Sequence, residues 1–191
     1  MLKLSSHEDT KDSKYIDKIS FETERLNQLA NELLDYSRGE IRLDMGIVSM
    51  PDFFREICEF TEHRLSSKEV KVDCSYEYDG QVIMDHQRML RVFSNLLENA
   101  RKAMGRSGNC RISAVRENKM VKFSVQDDGS GMSPEVLEHI FEPFYSSSPN
   151  GGTGLGMAIV KSVIEAHHGT IDIDSKVGEG TEVIVKLPLR L

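Results

Sequence analysis

The chain has 191 residues, is 39% hydrophobic and carries a formal net charge of −7, which suits one ordinary domain with an appendage. The acidic balance argues against a nucleic-acid binder, which needs a basic stripe. No apolar run is long enough to cross a bilayer or to read as a signal peptide.

Residues 1–14 are polar, charged and without period, so a flexible segment is expected there. From Tyr15 the pattern changes. Ile16, Ile19, Thr23, Leu26, Ala30, Leu33 and Ser37 recur at steps of three and four, a heptad seam on a helix ending near Arg38-Gly39. Such a seam needs a partner helix. The alternative is a helix lying on its own globular domain. Beyond Gly46 the texture is globular. Pro51 opens a helix to about residue 65, with Phe54, Ile57 and Leu65 inward. Val70, Val72, Cys74 and Tyr76 alternate as a strand, Asp79-Gly80 turns the chain, and residues 81–84 form a second strand. The three cysteines, Cys58, Cys74 and Cys110, are far apart without metal spacing, and are expected reduced and mostly buried.

Helical spacing then governs 85–104 through Met89, Val92, Phe93, Leu96, Leu97, Ala100, Ala103 and Met104. Strands are expected at 111–116 and 119–127, and a short helix from Pro134 with Ser133 as N-cap. A helix spans about 154–168, stopped by Gly169. Residues 170–175 and 181–187, joined by KVGEG, close as a hairpin. Hairpin-linked strands with three helices imply an α+β fold, a two-layer sandwich with one sheet covered on one face.

Four stretches carry chemistry. In NLLENARKAM, Asn95, Asn99 and Lys102 stand at i, i+4 and i+7 and share one helix face. Two amides and an ammonium there suit a metal-bound polyphosphate; the alternative is a solvated polar face. In VKFSVQDDGSGM, Asp127 shares parity with Val121, Phe123 and Val125, which aims a carboxylate to the buried side of its strand. It then needs a donor, such as a purine amino group, or it caps its own turn. EHIFEPFYSSSPNGG reads as a hinge and a lid. GGTGLGMAIV puts glycines before a helix whose free N–H groups suit phosphate, yet it is neither a P-loop nor a dinucleotide fingerprint.

In this order the stretches resemble the ATP-binding catalytic domain of sensor histidine kinases, within the superfamily shared with gyrase and heat-shock chaperone ATPases. NLLENARKAM resembles the asparagine box, DDGSGM and GGTGLGMAIV the two glycine boxes, and IFEPFYSS the phenylalanine box. The resemblance covers about residue 48 to the end. It implies a Bergerat-type sandwich, a mixed sheet covered by helices, preceded by a long heptad-patterned helix. YIDKISFETERLNQLANELLDYSRGE is similar to the second helix of the family's dimerising hairpin. The implied organisation is a flexible segment at 1–14, a partial dimerisation helix at 15–45 and an ATP-binding catalytic domain at 46–191.

Carried over by residue, the resemblance implies that Asp127 accepts from the adenine amino group, supported by Thr181 through water. Asn99 coordinates Mg²⁺ and Lys102 contacts phosphate. Gly129 and Gly131 shape the adenine pocket. Gly152, Thr153, Gly154, Leu155, Gly156 and Met157 wrap the phosphates, and Tyr145 lines the lid side. At Asn95 the ATPase relatives place a glutamate to activate water. An amide is no general base, so ATP is expected to be held without rapid hydrolysis.

Two departures stand out. Ser146-Ser147-Ser148 replaces a cation found after the phenylalanine box in many relatives, leaving γ-phosphate assistance to Lys102 and Arg101. His7-Glu8 superficially resembles the phosphorylated histidine with its acid. Only about 30 residues separate it from Ser37-Arg38, too few for two helices and a turn at ~1.5 Å per residue. No acceptor histidine is therefore assigned, and the chain reads as a fragment without the first helix. His63, His86, His139, His167 and His168 are expected to be structural or solvated. The implied function is transfer of the ATP γ-phosphoryl to a histidine on a dimerisation helix, for relay to a response-regulator receiver domain. The whole protein is expected to be a homodimer acting in the cytoplasm, with no nucleic-acid partner and no membrane contact in this stretch. A nucleotide-binding signalling module without phosphotransfer is the alternative, and a plain ATPase is disfavoured by Asn95.

Overall fold

A computed structural model of the chain describes Thr23 and residues 41–65, 69–146 and 153–189. The chain divides into two units, 1–39 and 40–191. The expectations for the polar N-terminal segment, the heptad helix and His7 fall outside the described residues, Thr23 apart. Gly152 and the serines at 147 and 148 also lie outside them, as does the side chain of His63.

The second unit runs β1 (Gly46–Ser49), α1 (Met50–Leu65), β2 (Glu69–Tyr76), β3 (Gln81–Met84), α2 (His86–Met104), β4 (Ser107–Glu117), β5 (Met120–Asp127), α3 (Pro134–His139), α4 (Gly156–Ala166), β6 (Thr170–Lys176) and β7 (Gly180–Pro188). Five strands form one mixed sheet in the order β2-β4-β5-β7-β6, with β2 parallel to β4 and the other pairs antiparallel. One face alternates into the core through Cys110, Ile112, Ala114, Val121, Phe123, Val125, Val185 and Leu187. The helices cover that face. Phe53 of α1, Phe93 of α2 and Phe123 of β5 meet edge to face, with ring centroids 5.2–6.3 Å apart. Such pairing adds about 0.5–1.5 kcal/mol beyond area burial, and it locks both helices over the central strand.

The strands around Asp79-Gly80 pair differently from the expected local order. β3 lies antiparallel to β1 in a separate two-stranded sheet, and β2 joins β4 in parallel. The Gly80 carbonyl accepts the Met50 amide at 3.0 Å, so the turn is spent on starting α1. Val82 and Met84 are fully buried, and that burial outweighs closure of the short β2–β3 hairpin.

Asp85 is the joint that places α2. Its Oδ1 caps the helix by accepting the Arg88 amide at 2.9 Å, and its Oδ2 accepts the Asp44 amide at 2.8 Å. Its own amide donates to His167 Nε2 at 2.9 Å. The His167 Nδ1 donates to the Val163 carbonyl at 2.8 Å, which sets the tautomer with the proton on Nδ1. The beginning of α2 is thereby tied to the end of α4, and His167 is structural, as expected. α4 ends in paired bonds from His168 to Glu165 and from Gly169 to Ile164, both 2.9 Å. The left-handed residue is His168, at φ 57°, rather than the expected Gly169. Gly169 is needed for space, because a Cβ there would stand 2.5 Å from the Lys186 carbonyl.

Candidate functional site

β5 ends on Asp127, which keeps the parity of its buried neighbours and is 8% exposed. Burial raises its pKa above the usual carboxylate range. The neighbouring Asp128 charge adds to that, and the Gly129 amide, donating to Oδ1 at 2.9 Å, opposes it. No second donor to this carboxylate occurs among the described residues. Both readings of Asp127 therefore meet in one side chain: it caps its turn with one oxygen and keeps the other.

Asp128 has the opposite environment. Asn109 donates to it from both its amide and its side chain, which holds its pKa below the ordinary value. The two adjacent carboxylates are thus driven apart, one satisfied and one desolvated.

Across the β5–β7 ladder Thr181 stands opposite Asp127, 9% exposed. Its hydroxyl lies 2.8 Å from Ser175 Oγ. Ser175 also donates to the Gly180 carbonyl at 3.0 Å and accepts the Met132 amide at 2.9 Å. With the Ser175 proton on Gly180, Thr181 donates to Ser175. The loop after Asp127 is pinned at Ser130. The Ser130 amide donates to the Ala103 carbonyl of α2 at 3.1 Å, and the Gly178 amide to the Ser130 carbonyl at 2.8 Å. Gly131 sits at φ 63°, and a Cβ would overlap the Lys176 carbonyl at 2.0 Å, so only glycine fits.

The second half of the site lies between α2 and α4. Asn95 is partly buried, and its Nδ2 is buried without a hydrogen-bond partner among the described residues. A Cβ on Gly156 would be 3.6 Å from Asn95 Oδ1, so the start of α4 abuts the polar stripe of α2. At that start Thr153 Oγ1 accepts the Leu155 amide at 3.1 Å, and no acidic residue occupies the first turn. The next amides retain their donors and the positive end of the helix dipole. Gly154, at φ 69°, accepts the Phe144 amide at 3.0 Å, and a side chain there would strike the Phe144–Tyr145 backbone. Leu155 and Met157 are core residues, 1% and 8% exposed, and offer the site only backbone.

Asn99 and Lys102 are exposed on the same stripe as Asn95. Lys102 Nζ is 3.8 Å from Glu98, which also grips Arg101 through a two-pronged pair at 2.6 and 2.7 Å. Glu98 raises the Arg101 pKa, and Arg101 is committed to it. Tyr145 is partly buried and packs on His139, ring centroids 5.4 Å apart. Sequence reasoning missed Ser175 and Asn109. Neither shows a motif, and each finds its partner only when distant strands align.

Three observations fit a purine nucleotide to these residues: the desolvated acid with a spare oxygen, the orphaned Asn95 amide, and the uncapped glycine-fronted helix. No group of three His, Cys, Asp or Glu is set to hold a metal among the described residues. A divalent ion here would draw oxygen from Asn99, phosphate and water.

Comparison with known proteins agrees with this geometry. The chain is 31% identical over 198 residues to the sensor histidine kinase YclK of Bacillus subtilis, covering 97% of this chain and 41% of YclK. It thus spans about two-fifths of that relative's length. The crystal structure of full-length ShkA in complex with AMPPNP superposes with a TM-score of 0.81 at 25% identity, covering 98% of this chain and 40% of ShkA. Histidine kinase ThkA in complex with the response regulator TrrA superposes with a TM-score of 0.74 at 25% identity, covering 99% and 53%. Residues 84–191, which hold every site element from α2 to β7, match the Histidine kinase-, DNA gyrase B-, and HSP90-like ATPase family, and the chain belongs to it.

Proposed function

We propose that residues 46–191 are the ATP-binding catalytic portion of a sensor histidine kinase. In this reading they hold Mg-ATP and pass its γ-phosphoryl to a histidine on a dimerisation helix, for relay to a response-regulator aspartate. The observation that carries the reading is Asp127: a desolvated carboxylate with one oxygen held by Gly129 and the other left for a purine amino donor. Bringing that donor to the carboxylate supplies the partner its burial demands. Thr181 flanks it, and Gly131 lets the loop that follows pack against the Lys176 backbone.

The phosphate chain would run from this pocket toward the start of α4, along the stripe of Asn95, Asn99 and Lys102. The α4 amides would donate to its negative oxygens. Asn95 Nδ2 would find an acceptor there, Asn99 would give Mg²⁺ its protein oxygen, and Lys102 would steady the γ-phosphate. Mg²⁺, when bound, offsets charge on the phosphates during transfer. In the transfer itself the acceptor imidazole nitrogen bonds to the γ-phosphorus as the bond to the ADP oxygen breaks. Asn95 cannot take a proton from water, which favours holding ATP for an acceptor over hydrolysing it.

The organisation proposed around this domain is a flexible segment at 1–14 and part of a dimerisation helix at 15–45. The acceptor histidine lies on a helix outside this chain, the whole protein works as a homodimer on the cytoplasmic side, and a receiver domain is the partner. The likeness to YclK and to ThkA with its response regulator supports that setting. No helix among the described residues is long and apolar enough to cross a membrane.

The test mixes this chain with labelled ATP and a kinase-dead relative carrying the complete helical hairpin. Acid-labile, base-stable label on the hairpin is the expected result. Tight nucleotide binding without transfer would reduce the protein to a signalling module. Rapid phosphate release without acceptor would make it an ATPase.

A further inference from the structure

The sequence spaces its three cysteines widely, but the fold brings two of them together. Cys58 lies on α1, one turn beyond Phe54, and Cys74 lies on β2, two residues before Tyr76. The Phe54 and Tyr76 rings meet with centroids 5.3 Å apart, which sets the register of helix against strand. In that register, with Cys58 one helical turn past Phe54 and Cys74 on the same strand face as Tyr76, the two thiols face each other across the helix–strand contact, and each bears on the other's acidity. Both are partly buried, so neither is sealed from solvent. β2 is an edge strand of the five-stranded sheet, and the pair sits at the rim of the sandwich. Cys110 differs: it is 1% exposed on β4, and burial pushes its thiol up to about 12.

We propose that Cys58 and Cys74 are a reversible dithiol–disulfide pair that fastens α1 to the edge strand β2. The oxidant is a small-molecule disulfide. The thiolate of one cysteine attacks one of the oxidant's sulfurs and expels a thiolate, leaving a mixed disulfide on that cysteine. The other cysteine then gives up its proton and attacks that sulfur, expelling the second thiol as the Cys58–Cys74 bond forms. The pair loses two electrons and two protons, and the oxidant leaves as two thiols.

None of the candidate nucleotide residues lies on α1 or β2. Oxidation is therefore expected to raise the thermal midpoint, by constraining the unfolded chain, and to leave nucleotide affinity unchanged. The experiment treats the full chain with oxidised glutathione, alkylates the remaining thiols and maps peptides without reduction. A Cys58–Cys74 linked peptide, one alkylated thiol at Cys110, and full reversal by dithiothreitol are expected. Cys58→Ser and Cys74→Ser should each abolish the link, and Cys110→Ser should keep it. Three alkylated thiols after oxidation, a stable glutathione adduct on Cys74, or a link through Cys110 or a second chain would overturn the proposal.

Discussion

Replacing Asp127 with asparagine keeps the shape of the side chain and removes its charge, so it separates binding from folding. In the native site Oδ1 accepts the Gly129 amide at 2.9 Å and Oδ2 is spare. An asparagine has one acceptor oxygen for those two tasks. If that oxygen stays on Gly129, the NH₂ group faces the purine amino group; if it flips, the NH₂ faces the Gly129 amide. Either way a donor meets a donor. Losing one hydrogen bond to a charged acceptor and leaving a buried donor unpaired costs about 2–4 kcal/mol, or ~30- to ~1000-fold in Kd. Stability should move the other way. Burial raises the Asp127 pKa in the fold, so the folded state binds more protons than the unfolded one between the ordinary carboxylate pKa and the raised value. Stability contributed there falls as pH rises through that window, and at neutral pH the charge is a net cost. The asparagine relieves it. Nucleotide affinity by calorimetry should collapse while the thermal midpoint at neutral pH holds or rises, with the difference from wild type shrinking in acid. An affinity within a few-fold of wild type in a folded sample would refute the adenine assignment. A lower midpoint at neutral pH would show that the carboxylate chiefly holds the loop.

Gly131→Ala should destabilise by about 2–4 kcal/mol, since it combines left-handed strain with a Cβ overlapping the Lys176 carbonyl. Gly46→Ala, with open space and no positive φ, should stay within about 0.5 kcal/mol in the same urea titration. Asn99→Ala sits on an exposed position and should leave stability within about 0.5 kcal/mol. It should, however, remove the gain in nucleotide affinity that added Mg²⁺ gives the wild-type chain; a preserved magnesium effect would displace Asn99 from the metal. Ser175→Ala strips the partner from the Met132 amide and the Thr181 hydroxyl and should cost about 1–3 kcal/mol in denaturant. Nucleotide affinity should weaken with it, through a loosened Thr181.

Much of this site is readable along the chain because its signals are local. Residue parity alone puts Asp127 on the buried face of β5, and helical spacing alone puts Asn95, Asn99 and Lys102 on one stripe of α2. Glycines before an apolar helix announce an uncapped terminus without reference to the rest of the fold. Strand partnership is another matter. Residues 69–84 look like two strands about a turn, yet each strand takes a partner far away in the chain, because Val82 and Met84 of β3 are buried in the core and Gly80 is used by Met50. β1 has four residues and an Ile47 that is 71% exposed, so it carries no alternation to read. Ser175 and Asn109 were invisible for the same reason. Each acquires its role from a residue that only sheet formation delivers. Cys58 and Cys74 belong with them, since their meeting depends on how α1 lies across β2.

The adjacent carboxylates at the end of β5 show how a costly group is kept in place. Asp128 is exposed and engaged at both oxygens by Asn109. The backbone of the same turn is held by Ala103, Gly178 and Ser175 as well as by the single bond from Gly129 to Asp127. Most of the loop's geometry is therefore secured by groups that have no need of a ligand. Asp127 is left with one bond and a raised pKa, the imbalance expected where a charge waits for an outside partner. Asp85 repeats the principle on the other side of the site, binding the start of α2 to the end of α4 through His167. Both frames are thus fixed by bonds within the protein. A nucleotide that reached from the Asp127 pocket to the start of α4, as proposed, could put its free energy into binding instead of into assembling the site.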